Sequence, residues 1–154
     1  MTRKGFTNAR SILAKTQTEM AQILGVSVKA VHSYEQGWRN VPPHVERQLY
    51  FLLTRRRGSK VPRKACWTIN KCPSHLKSKC PAWEFKAGAL CWFINGTVCG
   101  GQVCSDWGEK MAQCRRCPVL TAMLGECAPE VLEIEPEGAE PALMHKDVNT
   151  SKKE

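Results

Sequence analysis

The segment TQTEMAQILGVSVKAVHSYEQGWRN constrains the fold most, because it contains start and stop signals for two short helices. Thr16, followed three residues later by Glu19, is a capping-box signature, so a helix is expected to follow Thr16 and to end at Gly25. Ser27 is a favourable N-cap for a second helix, and Gly37 suits the left-handed conformation that ends it. Two short helices joined by a tight turn form a helix-turn-helix unit. Its expected inward residues are Met20, Ala21, Leu24, Val31 and Tyr34.

Helices are also predicted on both sides of this unit. Upstream, the apolar residues Ile12 and Leu13 favour a helix over residues 8–14. Downstream, PPHVERQLYFLLTRRR has Pro43 at a position that suits a first helical turn. Apolar residues recur there at i, i+4, i+7 and i+8, the spacing of one buried helical face. These residues are Val45, Leu49, Leu52 and Leu53.

Charge is distributed unevenly along the chain, whose formal net charge is +9. Residues 1–64 contain 13 Lys and Arg against 3 Asp and Glu, residues 65–127 contain 7 against 4, and residues 128–154 contain 3 against 7. Positive charge of this density is the electrostatic signature of modules that neutralise phosphates, although a basic face can also simply be solvated. The first third of the chain is therefore expected to bind nucleic acid.

The pattern TQxEMAxxLGVSxxxVxxYExGxRxxP closely resembles the helix-turn-helix domains of the phage-repressor and Cro class, with a match over residues 7–53. The resemblance implies binding of double-stranded DNA by a homodimer, with the second helix of the motif in the major groove. It implies that four residues of this helix read bases and that the residue after the first cap contacts a phosphate. With one added arginine, the candidate DNA-binding residues are Gln17, Val28, Lys29, His32, Ser33 and Arg39.

The side-chain chemistry at these positions is suitable for DNA. Lys29 can donate to guanine acceptors, Ser33 can pair with several bases, and Val28 can contact a thymine methyl group. Arg39 and Arg10 are candidates for phosphate contacts, which fix the register without reading sequence. The alternative is a helix-turn-helix fold used only for protein contact. His32 is expected to be an ordinary polar surface residue, and the alternative for it is a metal or pH-sensing role.

Two further segments are predicted outside the folded modules. Residues 54–64 combine a charge block with Gly and Pro and are expected to form a basic linker. Residues 121–154 become acidic and rich in proline, and are expected to form a disordered tail.

The longest apolar run, residues 87–94, is too short to span a bilayer, and no apolar stretch follows the opening MTRKGFTNAR. We therefore expect a soluble, cytoplasmic bacterial protein without membrane contact.

Eight of the nine cysteines lie within residues 66–117, separated by 5, 7, 10, 7, 4, 9 and 2 residues. Disulfides, metal ligation and small buried thiols could each explain them. Disulfides are disfavoured because DNA lies in a reducing compartment, and buried free cysteines usually occur singly or in pairs. Metal ligation is therefore the leading interpretation.

The metal is left open between two candidates. Zinc is favoured by the short spacings Cys114-x-x-Cys117 and Cys99-x4-Cys104. An iron–sulfur cluster is favoured by three Cys-Pro pairs, because proline often directs the chain away from a cluster. Tryptophans near the thiolates would form a dry shell around either group. The pairs are Cys72-Pro73, Cys80-Pro81 and Cys117-Pro118, and the tryptophans are Trp67, Trp83 and Trp92. We expect the iron–sulfur cluster, with zinc as the alternative.

The repeated phrases CWTIN and CWFIN, together with the Cys-Pro pairs, a Gly-Thr-x-Cys-Gly-Gly element and Lys110, resemble the two-CW cysteine-rich domain of bacterial regulators over residues 65–120. The resemblance implies a shared ligand set and leaves Cys104 and Cys127 outside it. The candidate metal ligands are Cys66, Cys72, Cys80, Cys91, Cys99, Cys114 and Cys117.

The predicted fold is mainly α. A helix-turn-helix bundle of four or five short helices spans residues 1–53, and a linker spans residues 54–64. A small, irregular, metal-stabilised cysteine module spans residues 65–120, and the disordered tail spans residues 121–154. This order predicts a transcriptional regulator whose cysteine module senses redox state, oxygen or metal. The alternative is a structural zinc module that docks a protein partner. An enzyme is not expected, because the four histidines are scattered without an acid/base pairing.

Overall fold

The computed structural model describes residues 1–56 and 64–133, and this part of the chain is mainly helical, as predicted. The first bundle consists of α1 (Arg3–Ile12), α2 (Gln17–Leu24), α3 (Val28–Gln36) and α4 (Pro43–Arg56). The cysteine-rich region begins with α5 (Cys66–Ile69), α6 (Ser74–Lys77), α7 (Pro81–Glu84) and a 3-10 turn (Cys91–Phe93). It continues with the antiparallel strands β1 (Val98–Cys99) and β2 (Gln102–Val103), then α8 (Trp107–Arg115) and α9 (Pro118–Leu124). A second 3-10 turn (Gly125–Cys127) leads into α10 (Ala128–Leu132).

The helix-turn-helix unit forms as predicted. The Thr16 hydroxyl accepts a bond from the Glu19 backbone N–H at 3.2 Å, and the Glu19 carboxylate accepts one from the Thr16 N–H at 2.8 Å. Both bonds satisfy backbone donors at the start of α2 that have no partner within the helix. Gly25 and Gly37 end α2 and α3 with φ of 65° and 76°, a conformation in which a residue with a Cβ is strained.

The predicted boundaries of the first helix were wrong. It covers Arg3–Ile12 rather than residues 8–14, because the Thr2 hydroxyl caps its start by accepting from the Gly5 N–H at 3.1 Å. Phe6 and Ala9 are fully buried, so the inward face begins earlier than the apolar pair used for the prediction.

The core of the bundle contains the residues expected from helical periodicity. The predicted inward residues of α2 and α3 are all buried, as are three of the four in α4. Leu52 is the exception and is only partly buried. Burying one such aliphatic side chain contributes about 1.5–3 kcal/mol. Hydrophobic burial therefore fixes how α2 packs against α3 and α4, and how α3 packs against α1.

The predicted tail is partly folded. Residues 121–133 complete α9 and form α10, and α10 packs against α1. Leu124 of α9 and Val131 and Leu132 of α10 are buried. A Cβ added at Gly5 would lie 2.7 Å from the Val131 carbonyl oxygen, so only glycine allows this close approach. The prediction missed this folded part because acidic residues further along the chain dominate the composition of the segment. Residues 134–154 lie outside the described residues.

The predicted linker is also partly helical. Thr54 is buried inside the last turn of α4, and the Arg56 guanidinium donates to the Leu13 carbonyl. The bundle therefore continues beyond its predicted end at residue 53, and residues 57–63 lie outside the described residues. In residues 1–56 and 64–133, no helix has both the length and the apolar character that crossing a membrane requires.

The bundle and the cysteine-rich region share one continuous core. Helix α4 packs against α2 on one side and against α8 and α9 on the other. Tyr50 of α4 meets the Trp92 ring edge-on, with the ring centroids 6.4 Å apart. The guanidinium of Arg47 lies 3.5 Å from the centre of the Trp107 ring. Helix α4 is thus a wall of both modules.

Candidate functional site

Helix α3 presents three of the predicted DNA-binding residues on one surface. Val28, Lys29 and His32 are all exposed, and 42% of Val28 faces solvent although its side chain is apolar. They share a face because they are spaced at i, i+1 and i+4, while Ala30, Val31 and Tyr34 hold the opposite face in the core. A cation, an imidazole and a branched apolar group are therefore available together to an external partner.

Ser33, the fourth residue of α3 predicted to read bases, does not share this exposed surface. Ser33 is 8% exposed, and its hydroxyl donates to the Lys29 carbonyl oxygen at 2.8 Å. A serine that bonds one turn back along its own helix has no free donor to offer. The side chain belongs to the buried face of α3.

Gln17 and Arg10 are both held by Glu35. The Gln17 amide donates to one carboxylate oxygen of Glu35 at 2.6 Å, and Arg10 forms a salt bridge with the other. Arg10 also donates to the Lys15 carbonyl at 2.7 Å. This cluster ties α1, α2 and α3 together, so Arg10 fixes the helices rather than extending into solvent. Gln17 remains partly exposed at the start of α2.

Trp38 was missed by the sequence analysis. It follows α3 and is 71% exposed, and its ring meets the His32 imidazole edge-on with centroids 5.4 Å apart. Arg39, a predicted phosphate contact, is exposed beside it. A large aromatic ring that is 71% exposed beside the exposed face of α3 is a candidate contact residue for an external partner. Trp38 and Arg39 extend the face of α3 beyond the end of the helix.

All seven predicted metal ligands line a single cavity of about 600 Å³. They are Cys66, Cys72, Cys80, Cys91, Cys99, Cys114 and Cys117. Cys104 and Cys127 are not among the lining residues, and their thiols donate to Gln113 Oε1 and to the Leu124 carbonyl, each at 2.9 Å. No disulfide links the cysteines of the described chain. We call this the cysteine cavity.

Short elements and tight turns bring the seven thiols together. Gly100 and Gly101 have φ of 59° and 85°, which allows the two-residue turn between β1 and β2 that holds Cys99 at the wall. Cys66 enters α5 with its N–H bonded to the Gly88 carbonyl at 2.9 Å. A Cβ on Gly88 would lie 2.5 Å from that of Ala65, so glycine permits this approach.

Three of the sulfur atoms have polar neighbours within the wall. The Val98 N–H donates to Cys80 Sγ at 3.4 Å, and the Asn70 amide donates to Cys117 Sγ at 3.8 Å. The Thr97 hydroxyl lies 3.5 Å from Cys99 Sγ. Such bonds stabilise negative charge on sulfur and orient it toward a bound metal.

The thiols differ in acidity. The pKa of Cys66 is lowered to about 7, chiefly by a hydrogen bond from the Cys91 thiol. The same interaction and burial raise the pKa of Cys91. Burial raises the pKa of Cys114 to about 12, although the positive charge of Lys110 opposes the shift. Of these three thiols, Cys66 converts most readily to the thiolate form that binds metal.

The remaining wall of the cavity is largely aromatic and aliphatic. Trp67 and Trp83 meet edge-to-face with centroids 4.9 Å apart, and the Lys77 ammonium lies 4.2 Å from the Trp83 ring centre. Trp92, 1% exposed, forms another part of the wall. The three tryptophans thus form an apolar part of the wall beside the thiols.

The donor set suits a soft metal. Thiolates bind zinc and iron–sulfur clusters in preference to harder cations. Within residues 1–56 and 64–133, no three Cys, His, Asp or Glu side chains lie close enough together to hold a single metal ion. The seven thiols instead line one cavity of about 600 Å³.

A buried ionic network joins the cysteine cavity to the bundle. Arg115, which follows Cys114, donates through Nε and Nη2 to the two carboxylate oxygens of Glu46, each at 2.9 Å. The Tyr50 hydroxyl and the Met1 amino group also donate to this carboxylate, at 2.7 and 2.8 Å. Burial acts to raise the pKa of Glu46, but these bonds and the charge of the Met1 amino group outweigh it and lower the pKa.

Comparison with family models, with curated proteins and with solved structures gave no match for this chain. The functional assignment therefore depends on the exposed face of α3, the cysteine cavity and the network between them.

Proposed function

We propose that the protein is a DNA-binding transcriptional regulator, not an enzyme, that acts as a homodimer in the cytoplasm and carries a metal cofactor in the cysteine cavity. The observation that carries the proposal is the single exposed face formed by Val28, Lys29 and His32 on the second helix of a helix-turn-helix unit. A helix of this kind fits the major groove, where base pairs are distinguished by their edges.

The chemistry of this face supports sequence reading. The Lys29 ammonium can donate to guanine N7 and O6, and Val28 can contact a thymine methyl group. Arg39 is exposed after α3 and Gln17 lies at the start of α2, and both would contact phosphates. Because the Arg10–Glu35–Gln17 cluster connects α2 to α3, the phosphate contact and the base contacts would keep a fixed separation.

The cysteine cavity supports an iron–sulfur cluster over zinc. The support consists of seven thiols around one volume of about 600 Å³, polar hydrogens near three sulfurs and an aromatic wall. A bound cluster would supply a charge that changes with redox state. The candidate ligands are the seven lining cysteines, and the pKa of Cys66 among them is lowered to about 7.

The network at α4 supports communication between cavity and reader. Arg115 lies between two cavity cysteines and bonds to Glu46, while Trp92, next to Cys91, packs against Tyr50. A movement of either cavity element would act on α4, which also packs against α2. Occupancy or redox state could thereby change DNA affinity, as linkage between two sites requires.

The experiment is a comparison of metal content and DNA affinity in one preparation. Protein purified without air is analysed for iron, sulfide and zinc, its operator is selected from random duplexes, and affinity is measured before and after oxidation. Iron with sulfide and an affinity that changes on oxidation would support the proposal. Zinc with unchanged affinity would favour a structural module, and absence of both metals would contradict the cofactor. Equal affinity for selected and random duplexes would contradict sequence-specific binding.

A further inference from the structure

Lys110 is the most unusual charged residue in the described chain. It is 0% exposed on α8, and its ammonium donates to the Thr97 hydroxyl. Across residues 1–56 and 64–133, no carboxylate forms an ion pair with it. A buried ammonium with only a neutral partner is unfavourable, so buried lysines normally lie beside a negative charge.

Two candidate ligands are related to Lys110, one through its own helix and one through its hydrogen-bond partner Thr97. Cys114 is four residues further along α8 and therefore lies on the same face of the helix. Thr97, which accepts the Lys110 bond, is itself 1% exposed in the cavity wall and lies 3.5 Å from Cys99 Sγ. The ammonium is thus placed behind the wall at two of the candidate ligands, one contributed by α8 and the other by β1.

Neutral thiols cannot balance the charge of Lys110, whereas metal-bound thiolates can. Several thiolates around one metal group leave it with net negative charge, and Coulomb attraction is strong at an ammonium that is 0% exposed, as that of Lys110 is. The buried cation and the group of thiols therefore compensate each other when the cysteines ligate metal.

We propose that Lys110 is the resident counter-charge of the metal–thiolate group, a positioning residue that stabilises the loaded cavity through its charge. This inference rests on the proposed cofactor. It predicts opposite effects on stability when the charge is removed. The metal-loaded protein becomes less stable because it loses an attraction. The metal-free protein does not, because the substitution removes a buried ammonium that has no counter-charge.

The test uses the full chain with Lys110→Met, which keeps the length but removes the charge, and Lys110→Arg, which keeps the charge. Lys79→Met, at an exposed lysine of the same region, is the matched control. Loss of metal to excess EDTA is followed without air, and melting temperature is measured with and without metal. We expect Lys110→Met to lose metal at least tenfold faster than wild type, with Lys110→Arg closer to wild type.

The melting temperatures separate charge from packing. Lys110→Met is expected to melt at or above the wild-type temperature without metal and below it with metal. Destabilisation in both forms, including failure to fold, would assign Lys110 a packing role and overturn the inference. Equal metal loss in wild type and Lys110→Met would also overturn it, while leaving the proposed cofactor intact. Wild-type protein without metal would instead contradict the proposed cofactor itself.

Discussion

Arg115 and Glu46, 69 residues apart, form a two-pronged ion pair with both N···O distances at 2.9 Å. Glu46 is 2% exposed and Arg115 32% exposed, so the carboxylate lies inside the core while the guanidinium reaches it from the rim. Paired contacts of this kind fix orientation as well as distance. The segment between Cys114 and Cys117 is therefore oriented against α4 by a charged bond in addition to apolar packing.

Replacing Arg115 with Met is expected to destabilise the protein by about 2–3 kcal/mol. This is below the roughly 3–5 kcal/mol of a wholly buried pair, because solvent screens the partly exposed guanidinium. Urea unfolding measures the change. The double variant with Glu46→Gln should lose less than the two single losses combined, whereas strict additivity would refute the pairing. Arg55→Met, at an exposed arginine in the last turn of α4, is the control.

The same pair predicts a dependence of stability on pH. The pKa of Glu46 in the folded protein lies below its ordinary value of 4.5, so its stabilising contribution is complete above pH 4.5 and declines as the pH falls toward the lower value. The difference in unfolding free energy between wild type and Glu46→Gln should shrink over this acidic range. A difference that stays constant, or grows on acidification, would count against the assignment.

The face of α3 predicts a contrast between neighbouring residues. Lys29→Ala should weaken binding to the selected operator by about 1–3 kcal/mol with a much smaller effect on random DNA, as expected for a base contact. Arg39→Ala should weaken binding to all sequences and reduce the salt slope by about 1. Ser33→Ala should leave base preference unchanged, because its hydroxyl is occupied within the helix. Gel-shift titrations at several salt concentrations test all three.

Trp38 predicts a loss of binding without a loss of stability. With 71% of the side chain exposed, Trp38→Ala removes little buried area, so the melting temperature should stay close to that of wild type. Affinity for DNA should fall, since the ring extends the face that begins with His32. A lower melting temperature with unchanged affinity would instead assign the ring to the fold.

Gly5 predicts a penalty at the contact between α1 and α10. Alanine is better than glycine in a free helix by about 1 kcal/mol, yet its Cβ at Gly5 would lie 2.7 Å from the Val131 carbonyl. We expect a net loss of about 1–3 kcal/mol because backbone must move. Thermal melting measures it, and removal of residues 128–154 should make the substitution neutral or favourable.

Local signals and distant contacts were not equally predictable. Thr16, Ser27 and Gly37 mark helix ends through bonds and dihedral angles within a few residues, so their roles can be read directly from the sequence. The side of α3 occupied by Ser33 depends on the rotation of the helix against the core, and a rotation of a few tens of degrees changes it from exposed to buried. The Arg115–Glu46 ion pair depends on the tertiary fold, and no local pattern in the sequence indicates that these two residues meet.

The cysteine cavity was partly predictable. Its seven lining cysteines were predicted from their resemblance to one domain type, and in the structure those seven line the same cavity. The role of Lys110 was not predicted, because burial without a carboxylate is visible only in three dimensions. Nor did composition reveal α10, whose apolar residues are too few to alter the acidic character of the segment around them.

The position of α4 as a common wall has a consequence for engineering. A fragment ending at residue 56 would keep the helix-turn-helix signals but would leave Glu46 without Arg115 and the Tyr50 ring without Trp92. Such a fragment would expose a charged cleft and an apolar seam that no element within residues 1–56 covers. The helical bundle of residues 1–56 is therefore not an independent unit that can be moved into another protein, and exchanging the cysteine-rich region would require redesigning α4 as well.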